Sequence, residues 1–223
     1  SAGPDLVEPG QPLKNASDEY ETNSWLLTTA VREVGAVAYR VHSIPDDEAQ
    51  LQKVIEDQLV RADLIIISGE RNDDSFDLIS RTLAGLGAIT TVDLAIEASG
   101  RHNFGTIGPD KTPVVTLPGD PISAYISFEL FVRPMIRTML GAATIHRPSV
   151  KAALEKPIES TPGMRSYIRG ILADDGKSVT PLANQDEQST LSDANAFIAI
   201  SETETALKTG DQVTVVVLER RYI

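Results

Sequence analysis

The chain has 223 residues, 41% of them hydrophobic, which is enough to fold around one or two buried cores. Asp and Glu total 32 against 20 Lys and Arg, and the formal net charge of −12 argues against nucleic acid or an anionic membrane as a general partner. The absence of cysteine excludes disulfides and thiolate metal sites and fits a cytoplasmic protein.

The first 141 residues alternate helical and strand-like patterns. The apolar spacing predicts helices over 23–34, around 51–59, over 75–86 and from 121 to about 141. Strands are predicted at 36–44, 64–67 and 89–96, followed by a hairpin of 104–107 with 113–117. This alternation indicates a parallel sheet covered by helices on both faces.

The pattern changes after Gly141. Residues 142–149 are predicted to be a linker, and 150–223 hold five short strand-like runs without a long helix. The runs are 150–154, 166–172, 178–182, 197–200 and 213–218. Short strands joined by polar turns indicate a small all-β barrel or sandwich. The predicted domains are therefore 1–141 and 150–223.

The turn Pro118-Gly119-Asp120-Pro121, between a strand and the long helix, is the most specific local signal. Glycine allows a tight turn, aspartate caps the first helical turn, and proline suits the first helical position. A helix amino end beyond the carboxyl end of a strand attracts anions. An ordinary strand-to-helix connection accounts for the same spacing equally well.

The sequence motifs of several segments resemble those of the MoeA/gephyrin E-domain family, the molybdopterin molybdotransferases. LPGDPISA is similar to the family's LPGNPVSA loop, GMRSYIRGIL to its G-R-x-x-F-x-R-G element, and LSDANAFIAI to its L-x-x-A-N-G-L-I segment. The resemblance implies a three-layer α/β/α (MogA/MoaB-like) domain followed by a barrel-like β-domain. It also implies that this chain is part of a longer protein, lacking two preceding domains and the first strand of its sheet, so that a groove should be open to an occupant.

The family transfers molybdenum from molybdate into adenylylated molybdopterin with Mg²⁺. If this chain is active, the resemblance implies that Asp77 holds Mg²⁺ and that Arg101 takes the role of a family lysine. Gly69, Gly119 and Ser123 would line the nucleotide. The cofactor-binding residues that the resemblance implies are Gly69, Pro118, Gly119, Asp120, Pro121 and Ser123.

Three loops depart from the family pattern by gaining acid or losing cations; one is the Pro118–Pro121 turn, where Asp120 stands in place of the family's asparagine. Where the family has glycine-rich S-G-G-V-S-x-G, this chain has Glu70, Asp73 and Asp74. Its second loop, K-P-G-K-P in the family, carries Glu97 and leaves Arg101 only if a gap is allowed. Two like charges about 5 Å apart at an effective dielectric of about 20 repel by roughly 3 kcal/mol. These changes favour weakened anion binding; a subfamily using Arg101 and His102 is the alternative.

Two functions therefore stay open. One is an active molybdotransferase. The other, favoured by the loop substitutions, is a pseudo-enzyme scaffold without a cofactor, a homodimer that holds a partner peptide, with cytoskeletal or cell-division proteins as candidates. By resemblance to gephyrin, the peptide-binding residues would be Arg165, Tyr167, Arg169, Ser201, Glu202 and Thr205. Simple cross-strand packing accounts for Tyr167 as well. His42, His102 and His146 are predicted to be surface or loop residues that bind no metal.

Overall fold

A computed structural model describes residues 1–3, 5–41, 47–70, 73–97 and 99–218, with only the backbone of Glu70 and Asp73. The described chain forms two compact units. The first comprises Ser1–Leu94 and Arg101–Gly141, and the second comprises Ala95–Gly100 and the residues from Ala142 on. The segment Ala95–Gly100, predicted to lie in the first domain, thus groups with the second. Within the described ranges, no helix is long and apolar enough to cross a membrane.

The helices of the first unit begin and end at local signals in the sequence. They are α1 (Asn23–Val34), α2 (Glu48–Leu59), α3 (Asp73–Leu86), α4 (Pro121–Ser127) and α5 (Arg133–Met139). Gly35 ends α1 in the left-handed conformation, with φ of 103°. The Asp47 carboxylate caps α2 by accepting a hydrogen bond from the Gln50 amide at 2.8 Å. The predicted helices are confirmed.

The predicted long helix after Pro121 contains a π-turn, Phe128–Val132, between α4 and α5. The Arg133 amide donates to the Phe128 carbonyl, five residues earlier. The next residue, Pro134, has no amide hydrogen, and its ring crowds the preceding turn of a regular α-helix. The wider π-turn gives that ring room while the helix continues.

Four strands build the main sheet of the first unit, in the order β3-β6-β5-β4. In chain order the strands of this unit are β1 (Leu6–Val7), β2 (Glu19–Tyr20), β3 (Ile65–Glu70), β4 (Gly87–Asp93), β5 (Arg101–Ile107) and β6 (Thr112–Pro118). The β3–β6 pair is parallel, whereas β6–β5 and β5–β4 are antiparallel. The predicted hairpin is confirmed as β5–β6.

Alternate residues of the segment 64–67, at the start of β3, face two different helical layers. Ile65 and Ile67 pack in a core with α2 and α3, whereas Leu64 and Ile66 pack against the core of α1 and α4. This is the period-two alternation of a strand buried on both faces. The three-layer α/β fold class is confirmed.

One strand prediction is wrong over the part that the structure describes. Residues 36–41 pair with no strand in the described chain, and 42–46 lie outside it. Their burial nevertheless alternates, since Ala36, Ala38 and Arg40 are half-buried while Val37 and Tyr39 are exposed. Ladder hydrogen bonds need a neighbour, which an alternating sequence cannot supply by itself.

The second unit contains a closed five-stranded barrel in the order β10-β7-β13-β11-β9. Its elements in chain order are β7 (Ser149–Leu154), β8 (Ile158–Glu159), β9 (Ser166–Leu172), β10 (Ser178–Pro181), α6 (Thr190–Asp193), β11 (Ala196–Ile200), β12 (Ala206–Leu207) and β13 (Gln212–Val217). The short β8 and β12 pair separately. All five predicted strands form the barrel, which confirms the β-domain; closure leaves the barrel no unpaired edge.

Candidate functional site

Three of the predicted site segments meet at one edge of the sheet. β3 and β6 run parallel, so Gly69 and the turn from Pro118 to Pro121 stand at the same, carboxyl, edge. β5 runs antiparallel to β6, which brings its first residue, Arg101, to that edge too. Open α/β sheets bind their ligands there.

Gly69 allows a close approach between two backbone segments at this edge. Its φ is +135°, and a Cβ built on it would stand 1.9 Å from the Ala2 carbonyl oxygen. A side chain here would therefore meet backbone as well as an unfavourable conformation. The predicted ligand-binding glycine also has this structural requirement.

The turn before α4 explains why aspartate suits position 120. The Asp120 carboxylate oxygen Oδ2 accepts hydrogen bonds from the Ser123 amide at 2.8 Å and from the Ser123 hydroxyl at 2.7 Å. Asp120 is thus a helix cap. The Ser123 side chain is buried and occupied by this cap, and the Gly119 carbonyl accepts a hydrogen bond from the Asn23 side-chain amide at 2.8 Å.

Arg101 lies over an aromatic ring at the amino end of α3. Its guanidinium carbon is 4.1 Å from the centroid of the Phe76 ring, a cation–π distance. Asp77, the next residue, is exposed, as is Asp74. The sequence placed Asp77 and Arg101 in one site, and the structure brings Arg101 to the helical turn that carries Asp77.

Of the three acids predicted to cluster in this loop, Asp74 is the one whose side chain the structure describes. The side chains of Glu70 and Asp73 lie outside the described atoms, and Arg71 and Asn72 lie outside the described residues. Asp74 stands in the first turn of α3, where the helix dipole favours negative charge. Repulsion of an anion by this loop stays a prediction.

Glu97, which an ungapped alignment would place at a lysine position of the family, belongs to the second unit. Its carboxylate accepts hydrogen bonds from the Thr161 hydroxyl at 2.7 Å and the Ser166 hydroxyl at 2.5 Å. Its amide donates to the Arg165 carbonyl at 2.9 Å. These bonds give the acid a structural role in the barrel unit.

A buried carboxylate near Gly69 was missed by sequence analysis. Glu21 is 1% exposed and accepts hydrogen bonds from the Ser24 amide at 2.8 Å and the Ser1 hydroxyl at 2.5 Å. The Ser1 hydroxyl is 3.2 Å from that of Ser68, and Arg40 lies 3.6 Å from Glu21. An acid two residues before a helix was the available signal, but its partners Ser1 and Arg40 are distant in sequence.

The predicted peptide-binding residues divide into surface and core. Arg165 and Glu202 form an ion pair of 3.1 Å with half-exposed side chains. Tyr167 is half-buried, with its ring edge-on to Phe197 at 6.5 Å. Arg169 is 3% exposed and donates to the Thr190 hydroxyl at 2.7 Å. Arg169 thus flanks Tyr167 in sequence but is not on the surface; Ser201 and Thr205 are at least partly exposed.

The prediction for His102 is wrong. Its side chain is fully buried between Phe104 and Phe131, and Nδ1–H donates to the Thr116 carbonyl at 2.9 Å. Burial lowers the pKa of His102 below its ordinary value, although the hydrogen bond to Thr116 opposes the shift. His146 is exposed and His42 lies outside the described residues. Among the described residues, no group of three or more His, Asp and Glu side chains could hold a metal ion.

Comparison with known proteins matches both units. Residues 6–138 match the family described as "Probable molybdopterin binding domain", and 151–218 match "MoeA C-terminal region (domain IV)". Two proteins of Mycobacterium tuberculosis, molybdopterin molybdenumtransferases 1 and 2, are 31% and 32% identical over 98% and 96% of this chain. The chain spans about half of each, 53% and 54%.

A solved structure shows the same relationship. The crystal structure of the molybdopterin biosynthesis MoeA protein from Pyrococcus horikosii superposes with a TM-score of 0.82 and 27% identity. The match covers 98% of this chain and 53% of that one.

Proposed function

Since this chain belongs to the MoeA family of molybdenum cofactor biosynthesis proteins, we infer that its α/β unit binds the phosphate-bearing molybdopterin nucleotide on which molybdenum insertion takes place. The observation that carries this proposal is the meeting of Gly69, the Pro118–Pro121 turn and Arg101 at the carboxyl edge of the sheet. Arg101 supplies a permanent positive charge where an anion would dock.

Two of the acids that the sequence predicts to repel an anion have hydrogen-bond partners of their own in the structure. Asp120 caps α4 through Oδ2, and Glu97 is bonded within the barrel unit. Mg²⁺ is bound by one or two carboxylates together with substrate phosphates. The exposed Asp77 would supply that carboxylate, and adenylylated molybdopterin and molybdate would be substrates.

Calorimetry with AMP, molybdate and Mg²⁺ tests this proposal. The chain should bind with saturable micromolar affinity, and Arg101→Gln should weaken binding about tenfold or more, because a hydrogen bond to a charged group contributes roughly 1.5–3 kcal/mol. Arg32→Gln, which changes an exposed arginine in the last turn of α1, is the matched control and should bind normally. Absence of saturable binding, or equal affinity of Arg101→Gln, contradicts the proposal.

A second candidate function is a homodimeric scaffold that holds a partner peptide. The surface formed by Arg165, Tyr167 and Glu202 favours it, because an exposed ion pair stands beside a half-buried aromatic ring. Linked sites in a dimer would add avidity. The acidic chain is expected to prefer basic or apolar peptides.

Fluorescence anisotropy with labelled basic and apolar decapeptides tests the scaffold role. Light scattering measures whether the protein is a monomer or a dimer. Tyr167→Ala should abolish peptide binding, whereas Lys151→Ala, an exposed change elsewhere on the barrel, should not. A monomer that binds no peptide, or a peptide bound equally by Tyr167→Ala, would rule out this role.

A further inference from the structure

Asn103 is a fully buried residue that connects β5 to three neighbouring elements. Its side-chain amide donates to the Ser80 hydroxyl of α3 at 2.9 Å, and its side-chain carbonyl accepts a hydrogen bond from the Thr91 hydroxyl of β4 at 2.7 Å. Its backbone N–H donates to the Thr116 hydroxyl of β6 at 2.8 Å. The side chain is held at both ends, so its orientation is fixed relative to α3.

The bond to Ser80 continues along α3 to the residue that contacts Arg101. The Ser80 hydroxyl uses its one hydrogen to donate to the Phe76 carbonyl, one helical turn earlier, at 2.7 Å. Phe76 is buried, and the guanidinium carbon of Arg101 lies 4.1 Å from the centroid of its ring. Asn103 and Arg101 are therefore connected twice, once through β5 and once through α3.

The spacing of these contacts is nearly the same on the strand and on the helix. Arg101 and Asn103 are two residues apart on β5, so their side chains leave the strand on the same face, roughly 6.6 Å apart along it. Phe76 and Ser80 are four residues apart on α3, so they lie on one helix face with about 6 Å of rise between them. Two matched contacts thus hold α3 to β5.

We propose that Asn103 and Ser80 are positioning residues, which hold the Phe76 ring against Arg101 and so keep the guanidinium ordered at the carboxyl edge of the sheet. A long side chain that is ordered before a ligand arrives loses less rotamer freedom on binding. The effect on ligand affinity rests on the function proposed above, in which Arg101 receives an anion. The positioning itself is a property of the free protein.

Nuclear magnetic resonance of the free protein tests the positioning without a ligand. Protons held over the face of an aromatic ring resonate upfield, so the side-chain protons of Arg101 should lie upfield of those of Arg32, an exposed arginine of α1. Ser80→Ala removes the hydroxyl that joins Asn103 to Phe76 and should remove most of this shift. Ser80→Thr keeps a hydroxyl that can bond the carbonyl four residues earlier, and should keep the shift.

Two further variants show whether the link to β5 is the cause. Asn103→Ala breaks the same link from the strand side and should also remove most of the Arg101 shift. Thr82→Val is the matched control, because the Thr82 hydroxyl donates to the Leu78 carbonyl at 2.9 Å, the same kind of bond within α3. This variant should leave the Arg101 shift unchanged.

Calorimetry with AMP tests the consequence for binding. Ser80→Ala should weaken AMP binding roughly two- to tenfold, because the ordering of one long side chain is then left to the ligand. In the Arg101→Gln background Ser80→Ala should cause no further loss, since both changes act on the same contact.

An unchanged Arg101 shift in Ser80→Ala overturns the proposal. So does an equal loss of shift in Thr82→Val, which would mean general loosening of α3. Equal weakening of AMP binding by Ser80→Ala with and without Arg101 also overturns it, because Ser80 would then act by another route. If the unchanged protein binds no AMP, the proposed ligand is wrong, and the Arg101 shift alone decides whether Ser80 and Asn103 are positioning residues.

Discussion

Two neighbouring polar residues of β5, His102 and Asn103, are fully buried because each has partners on other strands or helices. His102 bonds the Thr116 carbonyl, and the Asn103 side-chain amide donates to the Ser80 hydroxyl at 2.9 Å. Burial of polar groups is tolerated when their hydrogen bonds are satisfied. The sequence showed only a polar pair near a glycine, so their location depended on contacts that no local pattern contains.

The buried imidazole of His102 should make stability depend on pH. Its pKa is lowered in the folded state, whereas the unfolded chain keeps the ordinary value of 6.5. Below about pH 6.5 the unfolded state therefore binds a proton that the folded state does not, and the free energy of unfolding falls as pH falls through this range. Urea unfolding at pH 7.5 and pH 5.5 measures this loss.

Asparagine can replace the Nδ1–H donor without titrating. His102→Asn should lower stability at both pH values, since the ring fills space among aromatic side chains, but it should reduce the difference between them. His146→Asn, on an exposed side chain, should keep the pH dependence of the unchanged protein. An unchanged pH dependence in His102→Asn would show that another group causes it.

At the scale of elements, variants of the α4 cap distinguish two roles for Asp120: stabilising the helix and repelling an anionic ligand. Asp120→Asn should keep the stability of the protein, because asparagine caps helices about as well as aspartate. Asp120→Ala should lose about 1 kcal/mol, because the Ser123 amide then lacks its partner. Asp57→Ala, on an exposed face of α2, should change stability by less than about 0.5 kcal/mol.

Urea unfolding of the three variants compares these changes. Titrating the same proteins with AMP measures the effect of the Asp120 charge on ligand affinity. If the carboxylate repels the ligand, Asp120→Asn should bind AMP more tightly than the unchanged protein. Equal stability of Asp120→Ala and the unchanged protein would mean that the cap contributes nothing.

Elements with their own local signals were predicted well. The predicted end of the first helix at residue 34 is confirmed, with Gly35 as its cap, and the five barrel strands were located from short apolar runs between polar turns. The failures were non-local. A strand at 36–41 needs a hydrogen-bonded neighbour, and the π-turn before Pro134 reflects helix geometry that apolar spacing does not encode.

The site shows the same limit. The turn at Gly119 and the loop at Gly69 were predicted to bind a ligand from their sequence motifs, and this stays a prediction, whereas Glu21 was missed and Arg169 lies in the core. A linear sequence identifies a loop by its turn residues. It does not show which distant hydroxyl or guanidinium meets a carboxylate after folding.

At the scale of the whole molecule, the chain crosses between its two units more than once. Ala95–Gly100 leaves the first unit after β4 and pairs with the second, where Ile96 forms a parallel bridge to Arg165, before the chain returns at β5. A domain boundary drawn from composition at residue 141 misses this segment, because six residues are too few to show a periodic hydrophobic pattern. The second unit is consequently built from two separate stretches of sequence.

This arrangement predicts that Glu97→Ala weakens the barrel unit and spares the sheet unit. The hydroxyls of Thr161 and Ser166 lose a charged acceptor, and the Ser166 side chain is fully buried. A hydrogen bond to a charged group contributes roughly 1.5–3 kcal/mol, and half-exposure of Glu97 places the loss toward the lower end. Hydrogen exchange at β9 should therefore accelerate about tenfold.

Two comparisons make this measurement decisive. Asp186→Ala removes an exposed acid from the same unit and should leave exchange at β9 unchanged. Amides of β5 and β6 should exchange at the same rate in Glu97→Ala as in the unchanged protein, since the first unit has its own two core clusters. Faster exchange at β5 with no change at β9 would mean that residues 95–100 stabilise the sheet instead, as the boundary drawn from sequence assumed.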